Sequence, residues 1–312
     1  MGVAEYVELV RCEITRAVDV REEIGLNVIK RGKFKRNDMV QYFGEDLEGF
    51  ACTRTSWIQS NGTRCTRPSL LWGDPLGPKP ISTYWLTYAQ CPAANPVLGM
   101  LRAPVTISAW SVVGDDQPLG GTAGQVALAL RGVIADLQNA GIGVVPVDEP
   151  ALRELLTLKG KDQANYLGRS VGSSRPATSG VRDETQIRIH LCCSEFGIVI
   201  DTIGNLDADV TIIDAARPRM AVIKDIRTSG FDHSIGRGVC DIHSPRVPSL
   251  AEVTELMGMA LGSIPARQLW VKPDCAFTTW GYADTIESLQ NVSAATRSGH
   301  AGPGLSGSST PT

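Results

Sequence analysis

The run QIRIHLCCSEF at residues 186–196 sets His190, Cys192 and Cys193 in a stretch that otherwise has the composition of a buried strand. Side chains alternate across a strand, so His190 and Cys192 share one side while Leu191 and Cys193 share the other. Two soft ligands on one side suit a metal ion. Cysteine is also among the most buried residue types, and a pair of small core residues accounts for this run equally well. Two further residues favour the metal. Asp214 follows the apolar run DVTII, and Cys275 closes LWVKPDC after a Pro-Asp step that stops a strand. One histidine, two cysteines and a carboxylate from three strand ends make a tetrahedral zinc set. Zinc would hold a thiol as thiolate at neutral pH, where a free thiol with a pKa near ~8.5 stays protonated.

Two other places carry titratable groups at strand ends. His243 closes GRGVCDIH and precedes Ser-Pro, which puts its ring over the strand ends, where it could relay a proton. An isolated histidine is as readily a satisfied core residue. VDEPALRE sets Asp148, Glu149 and Glu154 at a strand end and the start of the next helix. For Glu149 and Glu154, ordinary first-turn charge complementing the helix dipole is the competing reading.

The elements that must position these groups follow from periodicity. Residues 4–24 carry apolar side chains at helical spacing, and Gly25 ends that helix before a short strand at 25–32. Strands are then expected at 100–110, 141–150, 186–193, 209–215, 236–243 and 269–275, with helices at 121–141 and 250–264. The strands are nearly continuous apolar runs, as in a parallel sheet covered on both faces. The fold class is therefore α/β, a TIM-like (β/α)8 barrel with seven of its eight strands counted here. Residues 50–95 break the alternation as an inserted hairpin, 159–184 have the composition of a flexible connection, and 293–312 that of a disordered tail. The expected organisation is an N-terminal helix (1–24), a catalytic barrel (25–292) and that tail.

Composition narrows the function. A net charge of −3 gives no basic footprint for nucleic acid. No apolar run reaches the length of a membrane span, and the N-terminus lacks a signal-peptide pattern, so a soluble cytoplasmic protein is expected. Eight cysteines in so long a chain are too sparse for a disulfide scaffold.

Together RNDMVQYFGE, GFACTRTSWIQSNGTRC, GIGVVPVDEPALRE, IHLCCSEF, VCDIHSPRVPS and LWVKPDC resemble the catalytic barrel of cobalamin-independent methionine synthase, over about residues 4–292. The resemblance implies zinc-dependent methyl transfer from 5-methyltetrahydrofolate (polyglutamate) to the thiol of homocysteine. It implies Zn2+ on His190, Cys192 and Cys275, with Asp214 where the family has a glutamate. Asp148 matches the acid that holds the substrate ammonium, and His243 the histidine that assists proton delivery to the leaving nitrogen. Trp110 matches the tryptophan on which the pterin stacks, and Arg64 with Cys65 the folate-contacting Arg-Cys pair. Glu154 is carried as a substrate-binding candidate.

The chain departs from that pattern at several positions. The family's Ile-Gly-Ser-Phe-Pro opening strand is not found, which accounts for a count of seven strands rather than eight. The family's His-Gly-Glu is Arg31, Gly32 and Lys33, so that a lysine stands where a glutamate helps bind an ammonium; its Thr-Ser is Ala215-Ala216, and Trp280 replaces an arginine. Two other readings stay open: a zinc thiol alkyltransferase with an anionic thiol acceptor, to which Arg31 and Lys33 are suited, and a degenerate or truncated non-catalytic homologue.

Overall fold

The computed structural model describes residues 1–32, 34, 36–59, 65–191, 199–214, 216, 231–275, 277 and 280–300. The chain divides into two compact units, Met1–Leu191 with Asp201–Val210, and Cys192–Ile200 with Thr211–Thr312.

The first unit opens with helix α1 (Val3–Ile24), which buries Val10, Ile14, Ala17 and Val18 along one face. Gly25, at φ 81°, ends it in the left-handed region, where a residue without Cβ is favoured. The next segment forms only an isolated parallel bridge, Ile29 to Val97, rather than a full strand. Helix α2 (Met39–Gly44) starts at Asp38, whose carboxylate accepts from the backbone N–H groups of Val40 and Gln41. The expected excursion is a set of short antiparallel pairs: β1 (Glu48–Cys52) with β4 (Ser69–Leu76), and β2 (Ile58–Gln59) with β3 (Cys65–Thr66). It is followed by helix α3 (Thr83–Gln90).

The predicted strand at 100–110 is a two-residue strand, β5 (Leu101–Arg102), that turns at once into helix α4 (Pro104–Ala109). Proline fixes φ for a first helical turn and needs no donor there, so Pro104 starts a helix despite the β-branched run behind it. After β6 (Val112–Val113), helix α5 (Leu119–Asn139) buries a face of Val126, Leu130, Val133 and Leu137. It feeds β7 (Val144–Asp148), every residue of which is buried. The short α6 (Ala151–Glu154) follows.

The segment expected to be a flexible connection is instead helix α7 (Gly160–Thr178), packed on α5. Its buried face is Leu167, Ser170, Ser173, Ser174 and Ala177. The Ser170 and Ser173 hydroxyls donate to carbonyls four residues back, which satisfies them inside the helix. Strand β8 (Gln186–Leu191) then pairs parallel with β7, and β7 with β5.

After the short α8 (Ile200–Gly204), strand β9 (Val210–Ile213) gives its last three residues to the second unit. There the strand order is β9, β10 (Ser234–Gly238), β11 (Leu269–Lys272), with β10 and β11 parallel. Helix α9 (Leu250–Leu261) begins in a reciprocal cap between Ser249 and Glu252. Helix α10 (Tyr282–His300) continues past residue 292, so 293–300 are helical rather than a disordered tail. Val292 and Ala295 are core residues there, packed with Val239, Val253 and Met257. Among the described residues, six strands and the Ile29 bridge stand for the seven strands expected.

Candidate active site at the strand ends

In the first unit, strand register gathers the polar residues. Arg102 is the register partner of Asp148, and Asp148 is that of His190, so three side chains stand abreast on adjacent parallel strands. Asp148 is 4% and His190 8% exposed. One Asp148 oxygen lies 3.5 Å from His190 Nδ1, and the other accepts from Arg102 at 3.4 Å. Guanidinium, carboxylate and imidazole thus form one buried row across the three strands. Backbone bonds lock the same ends: Ala103 N–H donates to the Asp148 carbonyl, and Glu149 N–H to that of His190, each at 2.9 Å.

Trp110 is the C-cap of α4 rather than a strand residue. The Arg102 guanidinium carbon lies 5.2 Å from the centre of its ring, a cation–π contact. The indole N–H donates to Glu154 at 3.2 Å, which gives Glu154 a defined role beyond first-turn charge. Glu149 is buried, at 1% exposure, rather than a solvated first-turn acid. Its carboxylate accepts from the hydroxyls of Thr106 and, at 3.3 Å, Ser174. Burial pushes its pKa up to about 7, against those hydrogen bonds, which pull it down. Cys65 is an exposed thiol at the start of β3, which pairs antiparallel with β2.

In the second unit, Asp214 follows β9 directly, and Cys275 stands three residues beyond β11. A carboxylate oxygen of Asp214 and the Cys275 sulfur lie within 4.8 Å, which lets both reach one metal ion. Lys272 donates to Asp214 at 3.2 Å and to the carbonyl of Asp274. Asp274 holds the Cys275 loop against the sheet: its backbone N–H donates to Cys240 and its carboxylate accepts from Ala216 N–H. That carboxylate occupies the space where a Cβ on Gly238 would sit, 1.7 Å from the Asp274 oxygen.

His243 departs from expectation. Strand β10 ends at Gly238, and His243 lies on an exposed turn, where its N–H donates to the Asp241 carboxylate. Its ring is therefore not held at a strand end. Trp280 steadies this turn through its indole N–H to the Ile242 carbonyl. Lys33, Arg64 and Cys192 lie outside the described residues.

Sequence reading missed Arg102 and the Glu149 cluster. The signal for Arg102 was a single charge interrupting the apolar run MLRAPV. For Glu149 no local signal existed, because Thr106 and Ser174 come from distant segments.

A family model described as the catalytic domain of cobalamin-independent synthase matches residues 1–298. The 5-methyltetrahydropteroyltriglutamate–homocysteine methyltransferase of Mycobacterium tuberculosis is 54% identical over 299 residues, covering 96% of this chain and 39% of that protein. The enzyme of the same name from Rhodococcus jostii is 53% identical over 289 residues, covering 93% and 38%. The chain thus spans about two fifths of the length of these relatives. Among solved structures, a B12-independent methionine synthase from a Shewanella species in complex with selenomethionine superposes with a TM-score of 0.83. That match has 15% identity and covers 96% of this chain and 90% of that one. At that identity the likeness establishes the fold, the TIM-like α/β class expected from the strand and helix alternation. A match to the family model over residues 1–298, identity above half to named members and a shared fold agree, and the chain belongs to the cobalamin-independent synthase family, as its catalytic domain.

Proposed function

We propose that this chain catalyses methyl transfer from 5-methyltetrahydropteroyltriglutamate to homocysteine, giving methionine. The observation that carries the reading is the Asp214 and Cys275 pair, a carboxylate and a thiol within 4.8 Å just beyond two strand ends. It is supported by the name carried by relatives of 54% identity.

His190, Cys192, Asp214 and Cys275 are the proposed zinc ligands. The donor set fits: neutral imidazole, thiolates and a carboxylate are zinc's usual partners, and Asp148 at His190 Nδ1 is the kind of outer partner that fixes a ligating histidine. Bound zinc supplies Lewis acidity that keeps a substrate thiol deprotonated at neutral pH. Asp148 pairs with the ammonium of the amino-acid substrate, and Arg102 tempers its charge. Trp110, with one face toward Arg102 and its N–H fixed by Glu154, offers a rigid surface on which the pterin stacks. Arg64 and Cys65 are the proposed folate contacts on the excursion. His243 is the proposed proton donor to the leaving nitrogen, which must be cationic for its methyl group to transfer. Lys33 stands in the acceptor subsite, where the family has a glutamate.

The test is the zinc content of the purified chain together with a methyl-transfer assay on homocysteine. One zinc per chain with turnover is expected, and Cys275→Ser should lower zinc affinity by at least about 10–100-fold and abolish turnover. A folded wild-type chain that takes up no zinc would sink the ligand assignment. Zinc uptake without transfer to homocysteine would shift the reading to a different thiol acceptor.

A further inference from the structure

In the first unit, the segment that carries Cys65 is held by helix α2. Strands β2 and β3 make two register pairs, Ile58 with Thr66 and Gln59 with Cys65, and both residues of β2 are exposed. So short a ladder has neither the length nor the buried face to fix its own place. Side chains of α2 and of the residue just before its cap supply what the ladder lacks. Asn37 donates through its amide to the Cys65 carbonyl at 3.0 Å. Gln41 Oε1 accepts from the Thr66 hydroxyl at 3.5 Å and from the Arg67 backbone N–H at 3.1 Å. Three consecutive residues, 65 to 67, are thus bonded to two side chains four positions apart.

Gln41 is 5% exposed, and its amide is used at both ends. Its Nε2 donates to Glu45 at 2.7 Å, and the same Glu45 oxygen accepts from the Arg67 guanidinium at 2.8 Å. Gln41, Glu45 and Arg67 therefore close a ring of hydrogen bonds in which Arg67 is held by backbone and by side chain. The guanidinium carbon also lies 5.2 Å from the centre of the Trp57 ring, which carries the hold across to the residue before β2. The chemistry of this ring requires an amide at 41. A carboxylate keeps the acceptor, loses the donor to Glu45 and sets a like charge beside it; an apolar side chain of the same length leaves the Arg67 N–H without its acceptor.

We propose that Gln41 is a positioning residue for the pterin substrate, setting the Cys65 segment where it meets that substrate. The inference rests on the reading of Cys65 as a folate contact. Titration calorimetry of 5-methyltetrahydropteroyltriglutamate into the full chain tests it without requiring turnover. Gln41→Met should weaken binding about tenfold or more, and Gln41→Glu, which keeps the acceptor for Arg67, by less. Asn37→Ala, at an exposed position, removes one bond and should weaken binding about threefold. Zinc content and affinity for homocysteine should stay at wild-type values in all three, a split that a general loss of structure would not give. Amide exchange over residues 65–67 should quicken in Gln41→Met. A wild-type chain that binds the substrate and a folded Gln41→Met that binds it equally well would overturn the proposal, as would parallel losses of pterin and homocysteine binding. If Gln41→Met does not fold, Gln41→Glu and Asn37→Ala decide, and unchanged pterin binding in both overturns it. A wild-type chain that binds no pterin overturns the folate reading itself, and this inference with it.

Discussion

In the first unit Arg102, Asp148 and His190 are neighbours because strand register makes them so. In the second, Asp214 and Cys275 stand beyond the ends of their strands and are located by loop atoms. Register is enforced by every backbone hydrogen bond of a ladder, and a slip would turn buried side chains outward. The first group should therefore survive loss of any single side chain without moving its neighbours. The Asp214 and Cys275 pair has no such frame. Its geometry rests on Asp274, the hydrogen bonds that Asp274 makes to the backbone of Cys240 and Ala216, and the missing Cβ of Gly238.

The largest effect that would probe this contrast, apart from the proposed loss of zinc in Cys275→Ser, belongs to Glu149 in the register-held unit. Its folded pKa, about 7, lies above the ordinary value of 4.5. Its neutral form is thus the one the fold prefers. The stabilising contribution is fully present below pH 4.5 and is lost as pH rises through about 7, beyond which the difference is constant. The change amounts to about 3 kcal/mol. Urea midpoints measured across that range should fall for the wild type relative to Glu149→Gln, which keeps a neutral amide in place; parallel curves would contradict the assignment.

Next in size is Gly238→Ala in the second unit. The added methyl group meets the Asp274 carboxylate and should cost about 2 kcal/mol. In an Asp274→Ala background the same change should cost far less, a coupling that thermal unfolding of the four chains reads directly. Additive effects would mean that Asp274 is not what excludes a side chain at 238. The smallest effect is expected for Glu154→Gln, below about 1 kcal/mol, since Glu154 is exposed. A shift in tryptophan emission should still accompany it if Trp110 is held as described.

The elements with strong periodicity were legible in the chain: α1, α5, β7, β8 and β11 fall where the apolar spacing places them. What misled was composition. The Gly, Ser, Lys and Arg content of 159–184 has the signature of a linker, but the serines of α7 lie on one face, and Ser170 and Ser173 bond to their own helix. The run PVTISA has strand propensity, and Pro104 outweighs it. For the candidate site, residue types at strand ends identified Asp148, His190, Asp214 and Cys275. They could not reveal Arg102 between Asp148 and Trp110, nor that His243 lies on a turn five residues after β10 has ended. Both depend on where a strand stops, which spacing alone leaves uncertain by several residues.

The serine-faced helix α7 has one more consequence. Serine and alanine have few rotamers to lose, so packing α7 against α5 freezes little side-chain freedom, where long aliphatic residues would lose much more. Ser174 therefore reaches the Glu149 carboxyl from a surface that was nearly ordered before it met its partner. The clamp on a buried acid is cheap in entropy, and that leaves more of the folding free energy to hold an uncharged carboxyl at the end of β7.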